Sequence, residues 1–216
     1  LKLNALGDVL WAKSMGGAEH DTPYSICTDN AQNVYVTGGF RNTVDFDPNV
    51  GTTLLTSNGF DDIFVLKLNS TGDFLWAKSA GANSNDIGES ICVDGSGNSY
   101  ITGRYNGTVD FDPSLGTTNL TSVGLDDIFI QKFDPSGNLL WVKSVGGNLY
   151  DYGRELVIAP SGNILLTGHF QGTVDFDPGA GTTNLTATGN SDAFVLKLDD
   201  SGNFVWAKSM GGSSYT

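Results

Sequence analysis

A single period governs this chain. Trp11, Trp76, Trp141 and Trp206 stand 65 residues apart, and so do Lys13, Lys78, Lys143 and Lys208. The stretch Thr-Val-Asp-Phe-Asp-Pro recurs in the same step, at 43–48, 108–113 and 173–178. No gap is needed between Trp11 and Trp206. The chain therefore reads as one unit written three times, over 11–75, 76–140 and 141–205, with partial units at 1–10 and 206–216. A fixed period of this size signals a propeller, a solenoid or an array, in which no unit buries its faces alone.

Composition narrows the element type. Glycine supplies 29 of the 216 residues and charged residues only 16%, against a usual charged share of about a quarter. Abundant Gly, Thr and Asn with aromatics suits short strands joined by tight turns. The net charge is −13. Eight of the eleven basic residues (Lys2, Lys13, Lys67, Lys78, Lys132, Lys143, Lys197 and Lys208) fall on two repeat positions, which ties most positive charge to the repeat's own construction. The acidic exterior that remains repels nucleic acid and attracts cations. No apolar run reaches the ~20 residues of a membrane helix, so membrane insertion is not expected. Leu1-Lys2-Leu3-Asn4 repeats Leu66-Lys67-Leu68-Asn69. The chain thus starts inside a strand, as a piece of a longer polypeptide would.

The second unit shows the internal plan. Residues 89–94 read as a strand, 95–98 as a turn and 99–103 as the returning strand. Glycine and asparagine supply the positive φ that such a turn needs. Residues 107–112 and 116–121 form a weaker hairpin, stopped at Pro113. Residues 127–133 and 139–144 form the second strong hairpin around Pro135-Ser136-Gly137-Asn138, and 145–151 cross to the next unit. The strands Asp127–Phe133 and Leu139–Ser144 are apolar on both sides of the pleat, so both faces must be covered. The expected fold is all-β: propeller blades of four antiparallel strands with an extra inserted hairpin, each sandwiched between its own copies.

These residues resemble a known family, the bacterial SBBP (seven-bladed beta-propeller) repeats. The likeness rests on Val93-Asp94-Gly95-Ser96-Gly97-Asn98-Ser99-Tyr100-Ile101-Thr102-Gly103, on Asp192-Ala193-Phe194-Val195-Leu196-Lys197-Leu198, and on Ser201-Gly202-Asn203 with its closing aromatic strand. The Asp-Phe-Asp-Pro insert resembles a variant from large secreted or surface proteins of Bacteroidetes-type bacteria. The resemblance implies an extracellular location and a non-catalytic binding or scaffolding role. Three and a half units are fewer than the four to eight blades of closed propellers. Missing blades, a second copy or an open arc would account for the difference.

Several residues could carry chemistry. The acidic pairs Asp45 with Asp47, Asp110 with Asp112 and Asp175 with Asp177 are two apart, which places each pair on one face of a strand. Asp62, Asp127 and Asp192 follow in the same units. Together they suggest one Ca²⁺ per unit. The structural alternative has Asp47 opening an Asx-Pro turn and Asp45 pairing with Lys13 or Lys67. Asp21, Asp86 and Asp151 are expected to hold the crossover by accepting backbone N–H groups. The tryptophans read as wedges between blades rather than a sugar platform. Cys27 and Cys92 read as buried strand positions. No Gly-x-Ser-x-Gly, His-Glu-x-x-His or phosphate loop is present, so no catalytic residue and no certain cofactor is assigned. The off-repeat polar residues His20, Arg41, Arg104, Arg154, Glu155 and His169 form no recognisable set, and both histidines read as exposed loop residues. The leading expectation is a binding or scaffold module for a protein or glycan partner. A filament subunit completed by neighbouring copies and a segment of a propeller hydrolase or lyase are the alternatives.

Overall fold

The computed structural model describes residues 1–213, and over them the chain is entirely strand, turn and loop. Among the described residues no helix is long and apolar enough to cross a membrane. Strands β1 (Lys2–Leu3) and β2 (Val9–Trp11) form a two-stranded piece. The first blade is built from β3 (Asp21–Thr28), β4 (Val34–Phe40), β7 (Asp62–Leu68) and β8 (Phe74–Ala80). The hairpin β5 (Thr43–Asp45) and β6 (Leu54–Thr56) is inserted between its second and third strands. The second blade is β9 (Ile87–Val93), β10 (Ser99–Tyr105), β13 (Asp127–Phe133) and β14 (Leu139–Val145), with insert β11 (Thr108–Asp110) and β12 (Asn119–Thr121). The third is β15 (Tyr152–Ile158), β16 (Ile164–Phe170), β19 (Asp192–Leu198) and β20 (Phe204–Met210), with insert β17 (Thr173–Asp175) and β18 (Asn184–Thr186). Each blade is an antiparallel meander in chain order. The β1–β2 pair keeps the register of a blade's last two strands, since Lys2 opposes Trp11 as Lys67 opposes Trp76.

The core lies between blades. One apolar cluster joins Tyr35, Ile63 and Val65 of the first blade to Ile91, Ile101 and Phe129 of the second. Another joins Tyr100, Ile128 and Ile130 of the second to Leu156, Ile164 and Phe194 of the third. The two-sided strands behave as their composition demands. Every residue of β7 is buried, and all but one of β13. The equivalent β19 alternates between buried and more open positions, because it has a neighbour on one face only. The same residue pattern thus gives full or half burial according to whether a blade follows.

Two repeat signatures acquire a mechanical meaning. Trp76 Nε1 and Lys67 Nζ both donate to the Pro135 carbonyl in the next blade's turn, at 3.1 and 2.8 Å. Trp11 and Lys2 grip the Ser70 carbonyl in the same way, at 3.2 and 3.0 Å. Trp11, Trp76 and Trp141 are half-buried between units, each lying over a turn glycine, whereas Trp206 on the last strand is exposed and is no wedge. A Cβ on Gly137 would sit 2.9 Å from the Trp76 ring, and Gly137 has φ +80°. Cys27 and Cys92 are free and half-buried; burial pushes both thiols up to about 12.

Candidate binding cleft

The crossovers between blades and the inserted hairpins meet at one end of each blade. Their geometry depends on the carboxylates of the links. Asp86 and Asp151 are fully buried. Asp86 accepts the N–H groups of Ala82 at 2.7 Å and Asn106 at 2.9 Å, and Asp151 those of Gly147 at 2.7 Å and Gln171 at 3.1 Å. Asp21 accepts the Gly17 N–H at 2.6 Å. Burial raises the Asp86 and Asp151 carboxyls to about 6 against these bonds. Asp62, Asp127 and Asp192 brace the other side of the link. They accept the N–H of Asn58, Val123 and Thr188, each at 3.0 Å. Gly81, Gly146 and Gly211 press on their carboxylates so closely that a Cβ would overlap them.

The acidic pairs of the inserts are built differently from the sequence expectation. Asp45, Asp110 and Asp175 end their strands, and Asp47, Asp112 and Asp177 lie beyond them, so the pairs share no strand face. Asp45 Oδ1 accepts the N–H groups of Asp47 at 3.1 Å and Thr53 at 2.9 Å; Asp110 and Asp175 repeat the arrangement. Asp47 does open the expected Asx-Pro turn, accepting the Asn49 N–H at 2.9 Å. The expected pairing of Asp45 with Lys13 or Lys67 does not form. Lys13 donates to Asn49, and Lys67 is drawn to the Pro135 carbonyl and the Tyr35 ring. Among the described residues no three His, Cys, Asp or Glu side chains gather as a metal-ligand set.

Off-repeat residues, by contrast, do converge. Each first strand carries a bulge, at Tyr24, Glu89 and Arg154, that re-aims one side chain. Arg154 reaches back to Glu89 at 2.7 Å across the second junction. The Tyr152 ring has the guanidinium groups of Arg104 at 4.7 Å and Arg154 at 5.0 Å, with His169 edge-on at 4.8 Å. His169 is therefore a half-buried strand residue, not the exposed loop residue expected; burial first, then Arg154 and Arg104, lower its pKa. His20 does lie in an exposed loop. Glu155 accepts a bond from Ser90 at 2.8 Å. Arg41 pairs with Asp61 at 2.8 Å and covers Phe60 at 5.2 Å.

Beside this stack a cleft of about 390 Å³ opens on the loop end of the second blade. Tyr150 and Phe60 offer exposed rings to it, while Arg104, Asp126, Asn106 and Asn85 offer polar groups. Asp126 lies 3.9 Å from Arg104. Burial raises its carboxyl, opposed by Arg104, Tyr152 and Asn106. Sequence reasoning missed the cleft, although a signal exists. Positions 20, 85 and 150 are His, Asn and Tyr; 22, 87 and 152 are Thr, Ile and Tyr; 39, 104 and 169 are Gly, Arg and His. Where the framework repeats itself, these positions differ from unit to unit, and the structure brings them together.

Comparison with known proteins agrees with the architecture. The chain is 28% identical over 236 residues to the uncharacterized WD repeat-containing protein L264 of Acanthamoeba polyphaga mimivirus, covering 96% of this chain and 17% of that protein. It is 28% identical over 127 residues to the regulatory protein FlaEY of Caulobacter vibrioides, covering 57% of this chain and 13% of FlaEY. The chain thus spans less than a fifth of either relative's length. The family model described as SBBP, beta-propeller repeat, matches residues 75–109, which run from the last strand of the first blade through the first two of the second; the repeat unit of this chain is accordingly similar to the SBBP beta-propeller repeat.

Proposed function

We propose that this chain is a non-catalytic binding module of a secreted or cell-surface protein, and that its loop-end cleft takes a neutral glycan. The convergence of the unit-specific residues Arg104, Tyr150 and Tyr152 beside Asp126 in one cleft carries this reading. A ring used only as a spacer has no need of residues that break the repeat at a single place. The cleft pairs exposed aromatic faces with a few fixed polar groups, the usual chemistry of a small-ligand site. Arg41 and Arg154 are held by carboxylates at 2.8 and 2.7 Å, while Arg104, 3.9 Å from Asp126, keeps an Nε with no hydrogen-bond partner that can donate to a sugar hydroxyl. A sugar ring suits what is left: its C–H face on Tyr150, its hydroxyls between Asp126, Arg104 and Asn106.

A glycan array probed with the 216-residue chain, followed by calorimetry, tests this. Tyr150→Ala is expected to weaken binding at least tenfold, about 1.4 kcal/mol, with the fold intact because Tyr150 is 41% exposed. An array with no reproducible neutral-sugar signal, or binding unchanged by Tyr150→Ala, would overturn the proposal.

A further inference from the structure

The cleft beside Arg104 is assembled from three successive units. Phe60 comes from the first, Arg104, Asn106 and Asp126 from the second, and Tyr150 from the third. Phe60 lies in the loop before β7. That loop packs on the link from the first blade to the second, so that a Cβ on Gly59 would run into the backbone of Ala82 and Asn83. Tyr150 lies in the link from the second blade to the third. This link packs in the same way on the loop before β13, where a Cβ on Gly124 would run into the backbone of Asn148. The two rings thus ride on two equivalent loop-and-link contacts, one unit apart.

Each ring is backed by a neighbour and still open to solvent. Phe60 is 55% exposed, and the Arg41 guanidinium covers it at 5.2 Å, itself fixed by Asp61 at 2.8 Å. Tyr150 is backed by Tyr152, with ring centroids 6.0 Å apart and planes tilted by 48°. Tyr152 is held in turn by Arg104 and Arg154. Rings fixed in this way lose little freedom when a ligand covers them, which is how preorganisation yields affinity. The polar groups of the same cleft are fixed as well. Asp126 takes hydrogen bonds from Tyr152 and Asn106, and Asn106 Oδ1 accepts from Ser84 at 3.0 Å. One backed ring with one polar set is enough for a single sugar. A second backed ring, supplied by a different unit, makes a second platform. It is particular to this cleft, since the positions equivalent to Phe60 are Leu125 and Asn190.

We propose, resting on the glycan reading of this cleft, that its ligand is a linear neutral oligosaccharide, with one pyranose ring stacked on Tyr150 and another on Phe60. Phe60 is then the residue that selects for chain length. Arg41 is its positioning residue, because it holds the ring from behind without reaching the sugar.

Titration of the 216-residue chain with cello-, malto- and manno-oligosaccharides of one to six sugar residues, followed by backbone-amide NMR, tests the proposal. In a series that binds, affinity is expected to rise at least tenfold from the monosaccharide to the tetrasaccharide and to level off beyond it. Phe60→Ala is expected to bring that ratio close to one, Phe60→Trp to restore it, and Arg41→Ala to reduce it in part. Tyr150→Ala is expected to weaken every length. The exposure of Phe60 lets its variants keep the fold, which their amide spectra check. A native ratio near one, or a ratio that Phe60→Ala leaves at its native value, overturns this inference while single-sugar binding stands. Binding of none of the three series also overturns it, and the glycan array then decides the broader reading on its own.

Discussion

Asp127 shows how much the repeat costs at single residues. Its carboxylate is buried between Gly146 and the Val123 N–H, and Oδ1 has no partner. Burial raises its pKa to about 7, with Asp151 and Asp126 adding to the rise, and Asp62 behaves alike. A carboxyl whose pKa is higher folded than unfolded binds its proton preferentially in the folded state. Its contribution to stability therefore falls as pH rises from about 4 to about 7 and is level above. Asp29 and Asp94 act in the opposite sense. Their hydrogen bonds outweigh burial and hold them below the usual range, so their stabilisation is present above pH ~4 and lost only in stronger acid. The melting temperature is expected to be higher at pH 5 than at pH 8. Asp127→Asn keeps an acceptor for Val123, removes the charge, and should shrink that difference. Scanning calorimetry at both pH values decides it; a melting temperature that rises from pH 5 to pH 8 would contradict the assignment.

At the level of the element, the inserted hairpin is the informative case. It has three residues per strand and little surface of its own to bury. Asp110 Oδ1 joins its two ends by accepting from Asp112 and Thr118, while Val109 and Phe111 anchor it in the core. Asp110→Ala is expected to cost about 1–2 kcal/mol, two modest hydrogen bonds, in urea unfolding. Because the N–H groups of the loop already satisfy the first oxygen, melts with Ca²⁺ and with chelator are expected to coincide; a clear rise with Ca²⁺ would instead assign the remaining oxygens to a metal. The strong strands were legible in the sequence, Asp127–Phe133 to the residue, because two-sided apolar runs between Asn and Gly turns have few other solutions. The hairpin was legible as an element, and so was the Asx-Pro turn at Asp47, but the placement of the acidic pairs was not. Two residues of separation suggests a shared face only while the strand continues, and this strand stops at Asp110. The cleft was illegible for a different reason. Periodicity draws attention to what repeats, whereas Arg104, Tyr150 and Tyr152 matter because they do not, and only the blade arrangement sets them side by side.

For the molecule as a whole, stability is distributed along a line. A repeat array is held by its units and by the interfaces between neighbours, so a unit with two neighbours is more stable than one with a single neighbour. The second blade has both its faces covered, and its β13 is buried almost throughout. The third has one covered face, and its outer strand β20 exposes most of its residues. Native-state hydrogen exchange should therefore be slowest in β10 and β13, faster in β19, and fastest in β20 and β1–β2, since local opening free energy follows buried contacts. Uniform protection across the three blades would mean that the chain opens only as one unit, and would contradict the linear picture.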